Sequence, residues 1–206
     1  DEKVRAFRER KLGEMRYVWV DAIYEKVRDD DRVESMATVV AMGVGPSNRR
    51  EVLGFDLIPT ESEEGWTQFL KSLKERGLHG VVLVISDAHS GLKAAVRKVF
   101  KAEWQRCKVH FYRNVLVHVS KKGQPEISEA MKAVFVQRDE PSAQAKGAEL
   151  IQRFRTRFPK AMEVFEAGLD DVLSYLHYPA PHRTRISSTN PIERLNLEVK
   201  RRTNVV

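Results

Sequence analysis

Hydrophobic positions in the first half of the chain predict a series of β-strands. β-Branched and aromatic residues dominate 16–28, 33–44 and 51–58, which is the composition of strands. An acidic turn at Asp29–Asp31 separates the first two runs, and a Gly-Pro-Ser-Asn turn precedes the third. Three strands joined by such short links are typical of an antiparallel meander. The continuous apolar run Val81–Ile85 predicts a fourth strand that is buried on both faces.

A helix is predicted between the third and fourth strands. Apolar residues recur at helical spacing along Ser62–Arg76, and Ser62 is a suitable N-terminal cap. A helix in this position implies a parallel crossover connection, so the fourth strand is expected beside the first. Asp21 interrupts the first strand and Asp87 follows the fourth. We therefore expect these two carboxylates to lie near each other at one edge of the sheet.

The remainder of the chain is predicted to be mainly helical. Val81–Ile85 leads into a helix through Val99, and a short fifth strand is predicted at 102–107. From Lys108 to about Tyr178 the apolar spacing predicts four helices, followed by a proline-rich link at 179–181. Asn190 before Pro191 predicts the start of a last helix. The expected organisation is an α/β core at 1–107, a helical insertion at 108–181 and a returning core helix at 182–206.

The charge balance favours a polyanion as the partner. The chain has 36 Lys and Arg against 29 Asp and Glu, a formal net charge of +7, and basic proteins attract nucleic acid. No apolar run approaches the roughly 20 residues that cross a bilayer, so no membrane role is expected. A single cysteine, Cys107, excludes an internal disulfide and is consistent with a reducing compartment. The start at Asp1 rather than Met suggests a piece of a longer protein.

Two segments concentrate the positive charge. Residues 97–123 contain eight Lys and Arg against one acid, and residues 183–206 contain six against Glu193 and Glu198. Such runs are either solvated faces or phosphate-binding surfaces. The residues expected to contact DNA are Arg194, Lys200, Arg201, Arg202, Arg106, Lys108 and Arg113. Within the first segment, Trp104 is expected to pack in the core or, alternatively, to stack on a base.

Three acids are candidates for metal binding, and each has a structural alternative. Asp87 lies at the carboxyl end of a strand, where ligands bind in open α/β sheets, but Asp87 or Ser90 could instead cap the following helix. Glu193 is the third residue after a predicted helix start, where an acid often reaches back to the backbone of Asn190 in a capping box. The residue types alone leave both alternatives open.

Five motifs in order resemble those of a known family. The motifs that carry the similarity are WVDAIYEKVR, VLGFDL, LVISDAHSGLKAAV, WQRCKVHFYRN and STNPIERLNLEVKRRT. Through them the chain is similar to the bacterial insertion-sequence transposases related to the plant Mutator elements, and the similarity covers essentially its whole length. The resemblance implies a ribonuclease H-like fold, in which a mixed sheet of three antiparallel strands plus parallel strands is flanked by helices and carries an all-helical insertion. It also implies that a DNA-binding region that precedes the core and a segment that follows it in the family are missing here.

The resemblance further implies a catalytic trio of Asp21, Asp87 and Glu193 that binds two Mg²⁺ or Mn²⁺ ions. The expected activity is cleavage of DNA at the transposon ends and joining of the 3′-OH to target DNA. The expected partners are both DNAs and further copies of the same chain, in the bacterial cytoplasm at the nucleoid. Two alternatives remain: a catalytically inactive DNA-binding or assembly module, and a stand-alone metal-dependent nuclease of the same fold. The fragment alone could also be inactive.

Cys107 and His110 match the family's signature of a cysteine or aspartate followed three positions later by a histidine. This spacing supplies only half of a zinc site, and the chain has no second cysteine. We expect His110 to reach toward the acidic residues or a phosphate, and Cys107 to pack in the core. His89 and His182 are expected either to contact DNA or to have structural roles.

Overall fold

The computed structural model describes residues 2–29 and 32–203, and these contain a five-stranded mixed sheet. The strands are β1 (Tyr17–Asp29), β2 (Arg32–Val44), β3 (Arg50–Ile58), β4 (Leu83–Ser86) and β5 (Glu103–Arg106), in the order β3-β2-β1-β4-β5. β1 pairs with β2 and β2 with β3 in antiparallel fashion, whereas β4 runs parallel to β1. The predicted meander and parallel crossover are therefore confirmed. Of the turn predicted after β1, Asp30 and Asp31 lie outside the described residues.

Nine α-helices accompany the sheet within the described residues. They are α1 (Glu2–Glu9), α2 (Glu63–Glu75), α3 (Ser90–Phe100), α4 (Lys108–Leu116), α5 (Gln124–Phe135), α6 (Glu140–Phe154), α7 (Pro159–Leu173), α8 (Ala180–Ile186) and α9 (Asn190–Thr203). α2 begins as predicted, because the Ser62 side chain accepts a hydrogen bond from the Gly65 N–H at 3.1 Å. None of the described helices is both long and apolar enough to cross a bilayer.

The chain divides into two compact units. The first contains the residues up to Trp104 together with those from Thr189 onward, and the second contains Gln105–Ser188. The first unit therefore holds most of the sheet with α1, α2, α3 and α9. The second unit holds α4 to α8. The mixed α/β class is confirmed, and the helical segment interrupts the α/β unit in the sequence.

The core of the first unit forms where α2 and α3 cover one face of the sheet. Val18 and Val20 of β1 and Val84 of β4 pack there with α2 and α3. Because side chains alternate across a strand, Asp21 lies on the opposite face with Trp19 and Ile23. Val18 and Val20 thus pack the sheet against these helices, and the Asp21 carboxylate lies on the other face.

The second unit has a core of aromatic and aliphatic side chains. Phe111 of α4 lies 5.5 Å from Phe165 of α7, measured between ring centroids. The Gln105 side chain is buried and accepts a hydrogen bond from the Tyr175 N–H at 2.6 Å. One local prediction is wrong: the prolines predict a link at 179–181, whereas α8 begins at Ala180. Proline is tolerated in the first turn of a helix, where its missing N–H would have no intrahelical partner.

Candidate active site

Parallel pairing of β1 and β4 sets the positions of the two predicted aspartates. The register pairs Tyr17 with Leu83 and Trp19 with Ile85. Two residues beyond this last pair are Asp21 on β1 and Asp87, which follows β4. The strand register therefore brings both acids to the carboxyl end of β4, just beyond the last residue pair of β1 and β4.

Asp21 and Asp87 line the same cleft. The cleft has a volume of about 130 Å³, and both aspartates are half-buried. Its lining comes from β1, the end of β4, the start of α3 and the segment around α2, and consists of Val20, Asp21, Ala22, Glu61, Trp66, Ser86, Asp87, Ala88, His89 and Leu92. This arrangement agrees with the prediction from the sequence that the two acids lie near each other at one edge of the sheet.

Hydrogen bonds fix the backbone around Asp87. The Asp87 Oδ1 accepts a hydrogen bond from the Ala88 N–H at 2.7 Å. The Ser86 hydroxyl donates to the Asp87 carbonyl oxygen at 2.9 Å and accepts from the Trp104 indole N–H at 2.8 Å. Trp104 is buried in the core of the first unit, so the packing interpretation of this residue holds and base stacking does not.

The cap of α3 is neither of the residues predicted for it. His89 is the N-cap, and its Nδ1 accepts a hydrogen bond from the Leu92 N–H at 3.3 Å. Ser90 is the first helical residue. The capping alternative for Asp87 is therefore wrong. Sequence reasoning missed the cap because histidine is not among the preferred N-cap residues.

Helix α9 reaches the first aspartate through Asn196. The Asn196 Nδ2 donates to Asp21 Oδ2 at 2.5 Å. Glu193, one turn earlier on α9, is half-buried, and its Oε1 accepts a hydrogen bond from the Thr189 hydroxyl at 3.5 Å. The helix begins at Asn190 as predicted. Asn196 was not identified from the sequence, although its spacing of three residues from Glu193 places both on one side of the helix.

The acids suit a hard divalent cation but do not form a closed cage. Within 2–29 and 32–203, no group of three or more His, Cys, Asp or Glu side chains is arranged to hold one metal ion. The structure thus brings Asp21 and Asp87 together without grouping Glu193 with them. Mg²⁺ is commonly held by one or two carboxylates plus substrate phosphates, so the two aspartates in an open cleft fit this ion.

A further acid, Glu61, also lines the cleft. It lies in the connection between β3 and α2, immediately before the cap residue Ser62. It adds a third carboxylate to the lining of the cleft. Nothing in its sequence context distinguished it from the solvent-exposed acids that usually precede a helix.

Cys107 and His110 lie at the start of α4 in the second unit. Cys107 is fully buried, as expected, forms no disulfide, and precedes the helix without a side-chain capping bond. His110 is half-buried. Neither residue belongs to a metal-binding group of three or more within the part of the chain that the structure describes.

The predicted DNA-binding residues differ in their surroundings. The Arg106 guanidinium lies 4.9 Å from the Phe111 ring centroid. The Lys108 ammonium lies 5.7 Å from the ring centroids of both Phe135 and Tyr175, and burial lowers its pKa. These two cations are therefore engaged with aromatic rings, and their DNA contacts stay a prediction.

The other predicted cations are exposed, as Arg113, Arg194, Lys200, Arg201 and Arg202 show. Two of them are paired within α9: Arg201 and Arg202 donate to Glu198 at 2.8 to 3.0 Å. Hydrogen bonds from Arg201, which has the larger effect, and from Arg202 lower the Glu198 pKa to about 2. Glu198 therefore stays ionised at neutral pH and neutralises part of the predicted DNA-binding run.

Ion pairing also divides the cations of the second unit. Those on α5, on α6, in the α6–α7 connection and at the start of α7 pair with acids: Lys132 with Glu129, Lys146 with Glu149, Arg153 and Arg157 with Glu126, Arg155 with Glu166, and Lys160 with Glu163. Arg113, Lys121 and Lys122 are exposed and make no ion pair with any residue that the structure describes. We call these three residues the α4–α5 basic cluster. The sequence shows the charges but not this difference in pairing.

Comparison with protein families gives a match along the whole chain. The model described as "Transposase, Mutator family" matches residues 1–206. The chain is 40% identical over 208 residues to the transposase for insertion sequence element ISRM5 of Rhizobium meliloti (strain 1021), covering 100% of this chain and 52% of the relative. It is also 40% identical over 208 residues to the transposase for insertion sequence element IS256 in transposon Tn4001 of Staphylococcus aureus, covering 98% and 53%.

A third relative is the transposase for insertion sequence element IS1081 of Mycobacterium tuberculosis, which is 37% identical over 209 residues, with 100% of this chain and 50% of the relative covered. The chain thus spans about half the length of the curated relatives it matches. Among solved structures, a Drosophila P element transposase strand transfer complex aligns with a TM-score of 0.33 and 12% identity, over 73% of this chain and 48% of that chain.

Proposed function

Because the chain belongs to the Mutator family of transposases, we propose that it is the catalytic core of a DDE transposase with a ribonuclease H-like fold. In this proposal the intact enzyme cleaves DNA at the transposon ends and joins the resulting 3′-OH to target DNA. The sheet order β3-β2-β1-β4-β5, with three antiparallel strands followed by a parallel one, supports the fold assignment.

The observation that carries the proposal is the shared cleft of Asp21 and Asp87. Asp21, Asp87 and Glu193 would hold two Mg²⁺ or Mn²⁺ ions together with phosphate oxygens. When bound, such ions stabilise negative charge on the attacking and leaving oxygens of an in-line displacement at phosphorus. The carboxylates supply the hard oxygen donors that these ions prefer. Two half-buried acids in an open cleft leave room for a phosphodiester to complete the coordination.

The cations supply affinity for the DNA backbone. Carboxylates repel phosphates, so DNA binding needs exposed positive charge elsewhere on the protein. Arg194 and Lys200 on α9 and the α4–α5 basic cluster are the exposed groups best suited to this role. The partners in this proposal are transposon-end and target DNA and further copies of the chain, acting at the nucleoid in the bacterial cytoplasm.

The test is a two-step assay with the full-length transposase that contains this chain. Labelled DNA carrying a transposon end is incubated with supercoiled target DNA, with Mg²⁺ or with EDTA. The proposal predicts Mg²⁺-dependent 3′-OH ends and end-to-target joining. Cleavage without joining would favour a nuclease, and binding without either reaction would favour an inactive assembly module.

A further inference from the structure

Asn196 is a buried amide that connects the last helix to the first strand of the sheet. Its side chain is only 6% exposed, and its Nδ2 donates to Asp21 Oδ2 at 2.5 Å. The two residues are 175 positions apart in the sequence. α9 lies against both β1 and β2. The hydrogen bond therefore joins distant parts of the first unit at one of the two aspartates of the cleft.

The orientation of the amide is fixed by its partner. An Asn side chain has one accepting oxygen and one donating nitrogen, and a carboxylate accepts only. Nδ2 must therefore face Asp21, and Oδ1 must point away. Oδ1 is fully buried and has no hydrogen-bond partner among the described residues. Swapping the two atoms would set an amide oxygen against the carboxylate, so the amide has a single favourable orientation.

This arrangement is costly for folding alone. A buried polar atom without a partner destabilises the folded state, and an aliphatic residue of similar size, such as leucine, would avoid this penalty. Buried polar groups are nearly always hydrogen-bonded, so one without a partner needs an explanation, and a role in catalysis is one such explanation. The cost is accounted for if the Nδ2 bond to Asp21 serves the chemistry of the cleft.

We propose that Asn196 is a positioning residue that holds the Asp21 carboxylate in the orientation needed to bind a divalent cation. The proposal rests on the proposed function, because it assigns Asp21 as a metal ligand. Asn196 binds one carboxylate oxygen and restricts rotation of the side chain, which fixes the orientation of this carboxylate at the cleft that Asp21 lines. Hydrogen-bonding partners of ligating carboxylates act in this way in metal sites.

The spacing on α9 gives the bond a second consequence. Asn196 is three residues after Glu193, so both side chains leave the same side of the helix and lie about 5–6 Å apart at Cβ. Fixing Asn196 at Asp21 therefore fixes the rotation of α9 about its axis. The same hydrogen bond therefore has two effects. It orients Asp21, and it turns the side of α9 that carries Asn196 and Glu193 toward β1.

The experiment compares the full-length transposase with its Asn196→Ala and Asn196→Leu variants, using Mn²⁺ as the probe. Free Mn²⁺ is measured by electron paramagnetic resonance during titration, and transposon-end cleavage is followed over the same Mn²⁺ range. We expect the half-saturating Mn²⁺ concentration to rise by about 10–100-fold in both variants. Thermal unfolding is measured in parallel, and Leu preserves bulk if Ala fails to fold.

Leu197→Ala provides the matched control, because Leu197 is the next residue on α9 and is 68% exposed. Its Mn²⁺ dependence should equal that of the unsubstituted protein. Variants that fold and keep the original half-saturating concentration would overturn the positioning role while leaving the proposed function intact. If the unsubstituted protein neither binds Mn²⁺ nor cleaves, the proposed function itself fails and the role of Asn196 fails with it.

Discussion

The indole N–H of Trp104 donates a hydrogen bond to the Ser86 hydroxyl at 2.8 Å, and both side chains are buried. Trp104 belongs to β5, and Ser86 is the last residue of β4, directly before Asp87. The same hydroxyl donates to the Asp87 carbonyl oxygen at 2.9 Å. A residue of the fifth strand thus stabilises the backbone turn from which a cleft aspartate projects.

Ser86→Ala should destabilise the protein by about 1–3 kcal/mol, because it leaves the buried indole N–H without an acceptor. Urea denaturation monitored by circular dichroism measures the loss. In a Trp104→Phe background the same serine substitution should cost less, because no indole N–H is then left unpaired. The difference between the two costs is the coupling energy of the pair.

Ser90→Ala is the control for removing a hydroxyl near the cleft, since Ser90 is exposed at the start of α3. Its effect on unfolding should stay within about 0.5 kcal/mol. If Ser86→Ala cost the same amount in both backgrounds, the hydrogen bond to Trp104 would not explain the loss.

Asp21→Asn, Asp87→Asn and Glu193→Gln should each reduce transposon-end cleavage and joining to background levels. These substitutions keep the shape of the side chain and remove the charge that a divalent cation requires. End binding should be largely retained, because in the proposed function the DNA backbone is bound by cations rather than by these three acids. Cleavage on sequencing gels and gel-shift binding are measured with the same full-length protein.

Asp56→Asn is the matched control, because Asp56 is an exposed acid on β3 outside the cleft. It should retain full activity. Any of the three acid variants that cleaves normally would remove that residue from the mechanism. The result for Glu193→Gln is the most informative of the three, because the structure does not group Glu193 with the two aspartates.

Much of the sheet could be predicted because its signals are local. Apolar runs and turn residues located all five strands to within a few residues, and the length of the α2 crossover implied that β4 runs parallel to β1. From that parallel pairing the shared location of Asp21 and Asp87 followed. Strand pairing in an α/β unit is constrained by connection length, so the sequence pattern was sufficient.

The features that were missed depend on tertiary contacts. In the sequence Asn196 resembles any other helical residue, and its role follows only from the contact with Asp21 on β1. Glu61 likewise belongs to the cleft only because the fold brings the start of α2 and the end of β4 together. The His89 cap was missed because propensity ranks serine and aspartate above histidine. α8 was missed because proline marks both links and first helical turns. In each case a three-dimensional neighbour decides between two local possibilities.

Gly91→Ala should destabilise the protein by about 1–3 kcal/mol and reduce cleavage. A Cβ at this position would lie 2.7 Å from the Glu63 backbone nitrogen and 3.1 Å from the Ser62 carbonyl carbon. The starts of α2 and α3 would then have to separate, and overpacking of this kind is destabilising. Because α3 begins beside the cleft, the shift would also move His89 and Asp87.

Gly13→Ala is the control, because a Cβ there would meet no heavy atom within 4 Å. Thermal unfolding and the cleavage rate are compared for both variants. If Gly91→Ala and Gly13→Ala have the same unfolding temperature and cleavage rate, the close approach of α2 and α3 at Gly91 does not contribute to stability or activity.

Neutralising the α4–α5 basic cluster should weaken DNA binding and its dependence on salt. Lys121→Gln combined with Lys122→Gln removes two exposed charges that no acid among the described residues neutralises. If both contact phosphates, the slope of log K against log salt concentration should become shallower by about 1.8, that is, about 0.9 per contact. Binding is measured by fluorescence anisotropy with duplex DNA at several salt concentrations.

Lys132→Gln combined with Lys146→Gln is the matched control. It removes the same net charge from the same unit, but these lysines already pair with Glu129 and Glu149. The salt slope should then change little. A similar change in slope for both double variants would indicate a general effect of net charge rather than binding at the cluster.

Glu198→Gln should have the opposite effect and strengthen DNA binding. Hydrogen bonds from Arg201 and then Arg202 lower the Glu198 pKa to about 2, so the carboxylate holds both arginines throughout the pH range of DNA binding. The pairing is lost only as pH falls from the ordinary carboxyl range toward 2. Amide substitution removes the charge at neutral pH and releases both guanidinium groups for phosphates.

The expected result of this substitution is a tighter Kd at low salt and a salt slope steeper by up to about 1.8 for two added contacts. Glu166→Gln is the control, because it also removes one acid from an exposed pair, with Arg155 in the second unit. If Glu198→Gln leaves the slope unchanged, Arg201 and Arg202 face solvent in the complex and α9 binds DNA through its other cations. A gain with Glu198→Gln alone would instead mean that Glu198 limits how strongly this helix binds the DNA backbone.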